Sequence, residues 1–251
     1  MLKLFQKIFF LILIFSFQIL PQSFGFGCLG FVGGFGGYSH QQYKPDGLNA
    51  YAANFNSINS EYIENKMSDF GKAGGYRVGV NFFRAKFTGL FITAKGYYQQ
   101  LSEQHDALVY QTAIGIDYNY DLKLKSWGIG LDIGIPINSF LSWKIIDGSV
   151  LLNSAKFTET INSTQGTDVN KYNNEKTEIG YSVGTGFIFE IVKNYISIEG
   201  VASYSQITID KMINEDGSIL VYNPNKLLSS EKFINAGGFN AVIQLNLGFP
   251  L

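Results

Sequence analysis

The side chains best suited to catalysis in this sequence are its two histidines and their polar neighbours. His105 lies between Glu103 and Asp106 in the chain, and His40 follows Ser39. A histidine beside a carboxylate and a hydroxyl could act as a general base that activates a nucleophile. Such a site needs these groups to meet in three dimensions, and nothing in the spacing requires it. We therefore interpret both clusters as polar loop residues and expect no catalytic site.

Metal and cofactor sites have no better support. The histidines lack a paired helical spacing, and Cys28 is the single cysteine, so neither a zinc-binding Cys pair nor an intrachain disulfide is possible. The glycine-rich run 33–37 lacks the spacing and the lysine of a phosphate-binding loop. It is better interpreted as a strand that must curve or pack closely. We predict no metal and no cofactor. Cys28 could carry a lipid, although a free thiol is the preferred interpretation.

The start of the chain has the order of segments that is typical of a secretory signal peptide. Lys3 and Lys7 precede an apolar run over 8–20, and the small residues Ser23 and Gly25 mark the expected cleavage site. As a helix this run would rise only about 20 Å, too little for a hydrocarbon core of roughly 30 Å. We predict a cleaved signal peptide at 1–25 and one domain at 26–251.

Charge and composition narrow the class of that domain. The formal net charge is −1 for the chain, and −3 without Lys3 and Lys7. This balance gives no reason to expect a nucleic-acid partner. Aromatic residues make up 16% of the chain and glycine occurs 28 times. Tyr and Phe suit the aromatic girdles of membrane barrels, and glycine suits tightly curved strands.

Apolar residues alternate with polar ones or glycine through most of the domain, which predicts strands. The last segment is the clearest, with apolar residues at odd positions up to Phe249 and Asn240, Gln244 and Asn246 between them. Asp147-Gly148 is a favoured two-residue hairpin turn. We predict ten strands, with eight as the alternative because the connection at 137–138 is short for an outer loop. The ten segments are 29–39, 74–83, 88–100, 107–121, 127–135, 139–146, 150–160, 176–190, 195–209 and 232–249.

If these strands close into a barrel, two further patterns concern its inside. Apolar residues spaced by three and four between Leu48 and Ile63 predict a helix in the first long loop, with Asp46 as its cap. This helix would pack on the rim, or alternatively close the pore. The preferred role of the inward charged residues is to pair and fill a narrow lumen; the alternative is to line a pore. They are Arg77, Lys95, Asp117, Asp121, Asp132, Glu178, Glu190 and Glu199.

The signal, the strands and the closing segment FNAVIQLNLGF resemble the small outer-membrane β-barrel proteins of Gram-negative bacteria, of the porin-like and OmpA-like families. The closing segment is similar to the sorting strand of such barrels, although Pro250-Leu251 follow the terminal aromatic Phe249. The resemblance implies an all-β fold, a closed antiparallel up-and-down transmembrane barrel. It also implies outer-membrane lipid and lipopolysaccharide as surroundings, and the barrel insertion machinery as a partner during biogenesis. It implies no site residue, and the oligomeric state stays open.

These observations favour an outer-membrane barrel with a structural or surface-interaction role and no catalysis. A narrow channel for small or hydrophobic solutes is the first alternative. An outer-membrane lipid-modifying enzyme or protease is the second, and a soluble periplasmic β-protein is the third.

Overall fold

The computed structural model of the protein describes residues 29–87, 89–111, 114–222 and 232–248. The predicted signal peptide and Cys28 lie outside these residues. No helix within these ranges is long and apolar enough to cross a membrane. The elements in chain order are β1 (Leu29–Gln42), α1 (Asp46–Ile58), β2 (Ile63–Asn65), β3 (Lys72–Phe87), β4 (Leu90–Gln111), β5 (Ile114–Pro136), β6 (Leu141–Ser163), β7 (Gly166–Asn174), β8 (Glu178–Val192), β9 (Ile196–Gln206), β10 (Met212–Asn214) and β11 (Gly238–Gly248).

Eight strands close into an antiparallel barrel. The order round the ring is β1-β3-β4-β5-β6-β8-β9-β11, and β11 pairs back with β1. Three strands lie outside the ring: β2 pairs with β4, β7 with the far end of β6, and β10 with β7. The predicted all-β closed barrel is confirmed, with the alternative count of eight strands and not the preferred count of ten.

The two surplus strands came from breaks placed inside continuous strands. Asp147-Gly148 does not turn the chain: Asp147 pairs with Asp132 of β5 and with Gly184 of β8. Lys123, in the gap between the predicted strands 107–121 and 127–135, pairs with Ser102 and Lys156 in the middle of β5. Three predicted strands between 88 and 135 are therefore the two long strands β4 and β5, and the two between 139 and 160 are β6.

The connections differ in length between the two ends of the barrel. At the lower end, β3–β4, β5–β6 and β8–β9 are joined by the short segments 88–89, 137–140 and 193–195. Gly89 and Asn194 have φ of 80° and 66°, the left-handed conformation that such tight turns need. The upper end carries the longer segments 43–71, 207–222 and 232–237 and the extra strands β7 and β10. Strands β4, β5 and β6, of 22–23 residues, also rise above β9 and β11, of 11 residues each.

The wall of the barrel changes character half-way along β5. Even-numbered positions face the interior from Tyr118 to Gly134. In the lower half of β5, after residue 126, polar or small residues face inward and apolar ones face outward. In the upper half, before residue 126, the two roles are exchanged. The lower outward residues are Trp127, Ile129, Leu131, Ile133 and Ile135, and the upper inward ones are Tyr118, Tyr120, Leu122 and Leu124.

Above this level an apolar core fills the mouth of the barrel. Leu48 and Ala52 of α1 pack in it with Phe157 of β6, with Ile209, and with Phe233 from the segment before β11. We call this upper part of the protein, with α1 and the segments 207–222 and 232–237, the cap. Its members are buried against one another, as in the core of a water-soluble protein.

Helix α1 lies across the mouth of the barrel. It follows directly after β1, and the Tyr51 hydroxyl donates a hydrogen bond of 2.7 Å to Glu159 Oε1 on β6. Strand β6 is four strands from β1 in either direction round the ring of eight, so it is on the opposite wall. The predicted helix is confirmed. It lies across the mouth of the barrel, which was the alternative placement, and not on the rim. Asp46 is not its cap: it is the first helical residue and accepts a hydrogen bond from Asn235.

Candidate functional site

Five charged side chains meet in the lower lumen, and we call them the lumen cluster. Lys144 Nζ lies 2.8 Å from Asp132 Oδ2, 2.7 Å from Asp147 Oδ2 and 2.6 Å from Glu199 Oε1. Lys95 Nζ lies 2.8 Å from Asp132 Oδ1 and 2.5 Å from Asp147 Oδ2. Two ammonium groups are thus shared among three carboxylates, all of them buried. Because the pairs link β4, β5, β6 and β9, they tie separate walls of the barrel together.

The same cluster is the one place in the described residues where three carboxylates come close enough to bind a metal ion. One oxygen each of Asp132, Asp147 and Glu199 lies within 4.8 Å of the others. The Lys144 ammonium contacts all three, so it takes the position that a cation would need. The geometry therefore supports a buried ion-pair network and not a metal centre.

The lumen above this cluster is filled by polar contacts that include no carboxylate. The Arg77 Nε donates to Gln99 Oε1 at 2.9 Å, and its guanidinium lies 4.3 Å from the centre of the Tyr97 ring. In the same row, Ser126 lies opposite Gln99, and its Oγ donates to Asn153 Oδ1 at 2.6 Å. Side chains thus occupy successive levels of the lumen, as expected for a narrow barrel.

Four of the eight predicted inward charges are buried in the lumen, and four are not. Arg77, Lys95, Asp132 and Glu199 are inside, and the last three pair as the preferred interpretation required. The prediction was wrong for Asp117 and Asp121, which face outward from the upper half of β5. Their alternation is the same as in the lower half, but the polar face is the outer one there. Glu178 and Glu190 lie on the inward side at the ends of β8 and are only half-buried.

Lys144 and Asp147 were missed as lumen residues. The sequence suggested a turn at Asp147. The two residues are also three positions apart, which in a regular strand would place them on opposite faces. The signal available in the sequence was the apolar pair Ile145-Ile146 between two charged residues. Such an interruption of alternation is what a bulge produces.

The two histidines lie on opposite faces of the wall and do not form one site. His40 occupies an outward position of β1, between the inward Ser39 and Gln41. His105 faces into the cap, where its Nε2 lies 3.0 Å from Glu103 Oε1 and its ring packs edge-on against Phe70.

Two carboxylates organise the cap by accepting several hydrogen bonds each. Glu103 accepts from the Tyr43 hydroxyl at 2.5 Å and from the backbone N–H groups of Gly71 and Lys72. Glu159 accepts from Tyr51, and its second oxygen accepts from Asn170 Nδ2 at 3.0 Å. Burial, reinforced by the adjacent carboxylate, raises the pKa of both the Tyr43 and the Tyr51 hydroxyls. Both therefore stay protonated as donors at neutral pH.

The outer wall of the barrel carries an apolar belt between two rows of aromatic side chains. In the upper row, Tyr38 lies opposite Tyr76, and Trp127 lies opposite Tyr98. Outward aromatic residues occur at this level on every barrel strand except β6. The upper row consists of Tyr38, Tyr76, Tyr98, Trp127, Tyr181, Tyr204 and Phe239, and the lower row contains Phe82, Phe87, Phe140, Trp143, Phe187, Phe189 and Tyr195.

No family model and no curated protein matches the chain. Solved structures of small outer-membrane β-barrel proteins do match it. Ail, the attachment invasion locus protein of Yersinia pestis, is 11% identical with a TM-score of 0.39, over 88% of this chain and 99% of that one. Neisserial surface protein A is 11% identical with a TM-score of 0.40, over 86% and 97%. The outer membrane protease OmpT from Escherichia coli is 10% identical with a TM-score of 0.37, over 88% and 95%.

These proteins include a protease as well as surface proteins, and no residue role is transferred from any of them.

Proposed function

We propose that the protein is an outer-membrane β-barrel with a sealed lumen, which displays its cap at the cell surface and has a structural or surface-interaction role without catalysis. The single observation that carries this proposal is the reversal along β5. Outward residues are apolar from Trp127 to Ile135 and polar from Asp117 to Lys125. A wall that borders lipid below and water above needs this reversal.

The apolar belt has the height that a bilayer requires. From Trp127 to Ile135 on β5, and from Tyr181 to Phe189 on β8, it spans nine residues. A transmembrane strand of about 9–11 residues crosses the hydrocarbon core, with aromatic girdles at both interfaces. The short lower turns and the large upper cap agree with periplasmic turns and extracellular loops.

A channel is disfavoured by what fills the interior. Ion pairs between Lys95, Lys144 and three carboxylates block the lower lumen, and α1 with the cap core closes the mouth. The surface role is supported by the far tip of the cap, where apolar side chains stay exposed to water. These are Ile58, Tyr62, Tyr110 and Ile114.

Two measurements test this function. The protein should fractionate with the outer membrane and migrate on gels in a heat-modifiable way, whereas recovery in the soluble periplasm without detergent would contradict it. In planar bilayers the folded protein should show no stepwise conductance. Stable single-channel steps that persist at several voltages would support the narrow channel instead.

A further inference from the structure

A groove in the outer wall of the barrel lies directly beneath a cluster of lysines. The groove encloses about 750 Å³ on the outward side of β3, β4, β5 and β6. Its sides are formed by apolar and aromatic side chains, and the Phe82 ring lies over Gly96 in its floor. The main lining residues are Val78, Phe82, Tyr98, Trp127, Ile129 and Leu152.

The groove is apolar throughout and open to the outside. Trp127 and Ile129 are 63% and 73% exposed, although both are large apolar side chains. The ring of Phe82 lies over Gly96, where an added Cβ would be 2.5 Å from the Phe82 Cζ. A surface of this kind is suited to hold an acyl chain more closely than the smooth wall around it.

Two rows of polar side chains cross the same strands immediately above the groove. Lys125 is the next outward residue after Trp127, and it pairs with Gln100 on β4 and Ser154 on β6. In the following row Lys123 lies between Ser102 and Lys156. These two rows contain three lysines and no carboxylate.

The lysines are poorly neutralised by the protein itself. Lys123 and Lys156 are directly opposite each other on the outer face, an arrangement of like charges that destabilises a sheet. Lys123 Nζ lies 2.8 Å from Asp121 Oδ2, whereas Lys125 and Lys156 pair with no carboxylate in the part of the chain that the structure describes. An anion bound between them would relieve this repulsion.

The geometry points to a binding site for one phosphorylated glycolipid of the outer leaflet, with an acyl chain in the groove and a phosphate on Lys125 and Lys156. This inference rests on the proposed function, because it needs the belt to lie in the membrane and the cap outside. The ligand class follows from the position: the lysines border the upper edge of the belt, and the outer leaflet of an outer membrane consists of glycolipids with phosphate groups on an acylated sugar. Lipids without a phosphate group lack the anion that the lysines would bind.

The test uses the full-length protein, folded and purified in a non-ionic detergent. Bis-phosphorylated hexa-acyl lipid A is titrated and counted by native mass spectrometry, with dephosphorylated lipid A and phosphatidylglycerol as comparison ligands. Trp143→Phe leaves Trp127 as the only tryptophan, so its emission reports whether the lipid enters the groove. We expect one tightly bound lipid A, a blue shift of Trp127, and weaker binding of both comparison ligands.

Matched variants separate the lysines and the groove from general charge effects. Lys125→Gln with Lys156→Gln should weaken lipid A binding about 25-fold, since a lysine at a membrane surface contributes about five-fold. Lys66→Gln with Lys193→Gln removes the same charge from exposed positions outside the cluster and should leave binding within about two-fold. Gly96→Leu would push the Phe82 ring into the groove and should abolish the blue shift.

Several outcomes would overturn the site. Equal binding of dephosphorylated lipid A or of phosphatidylglycerol would remove its selectivity, and an equal effect of the two double variants would remove the role of Lys125 and Lys156. Dimers that form through the groove and are lost in Gly96→Leu would show that a second copy occupies it. Insertion of the same proteins into phosphatidylcholine vesicles is measured in parallel. If the unmodified chain fails to insert, the proposed function fails; normal insertion without lipid A selectivity refutes only the site.

Discussion

Lys144 and Asp147 are three residues apart in one strand, yet both side chains point into the lumen, with Nζ 2.7 Å from Oδ2. A bulge makes this possible. Lys144 pairs with Gly186 and Asp147 with Gly184, so three steps along β6 match two along β8. The extra residue turns Ile145 and Ile146 outward together, where both are exposed on the belt. One irregularity thus adds two charges to the lumen and two apolar side chains to the outer wall.

Replacing Lys144 by methionine should destabilise the barrel by about 3–5 kcal/mol, because three carboxylates would remain buried with only Lys95 to neutralise them. Reversible urea unfolding in lipid vesicles measures this difference. Lys176→Met is the control, since the Lys176 side chain is 64% exposed and its ion pairs are 3.6–3.7 Å long. A loss below 1 kcal/mol for Lys144→Met would show that the lumen is hydrated and open.

A charge placed on one outward face of β5 should have an effect that depends on its height. Leu131→Arg, in the middle of the belt, should cost about 2–4 kcal/mol of barrel stability in vesicles. Asn119→Arg lies on the same face above the upper aromatic row and should stay within about 0.5 kcal/mol of the unmodified protein. Similar costs at the two positions would contradict the placement of the membrane at the belt.

The sequence was informative wherever one face of a strand kept a constant environment. In β11 the odd residues up to Leu247 face out and the even ones, such as Asn246, face in, as alternation predicts. It was misleading in β5, since the period of two continues through Lys125 while the outward residues change from apolar to polar. Alternation identifies the two faces of a strand but not which of them is buried. Asp147 shows the second limit, because contacts with Lys95 and Lys144 override a local preference for a turn.

Gly47→Ala should destabilise the cap, although alanine normally stabilises a helix by about 0.5–1 kcal/mol relative to glycine. A Cβ at this position would lie 2.6 Å from the Lys232 carbonyl oxygen and 3.0 Å from the Phe233 Cα, so α1 would have to move away from the segment before β11. Hydrogen exchange of the α1 amides measures the opening. Ser57→Ala, exposed on the same helix, is the control and should slow exchange slightly.

The cap should loosen at alkaline pH while the barrel below it stays folded. Burial raises the pKa of the Tyr51 hydroxyl above its unfolded value of about 10, and the neighbouring Glu159 raises it further. A pKa that is raised on folding contributes stability in full below the unfolded pKa, and the contribution is lost as the pH rises through the folded pKa. Hydrogen exchange of α1 should therefore be constant from pH 7 to about 9.5, after correction for the intrinsic rate, and should accelerate above about pH 10.

Tyr51→Phe isolates this hydroxyl. At pH 7 it should cost the cap about 1.5–3 kcal/mol, because the Glu159 carboxylate loses a donor in a buried position. It should also reduce the acceleration at alkaline pH, although Tyr43 retains the same kind of bond to Glu103 and some acceleration remains. Tyr62→Phe changes an exposed hydroxyl at the tip and should alter neither value. If Tyr51→Phe behaves like Tyr62→Phe, the bond to Glu159 does not hold α1 across the mouth.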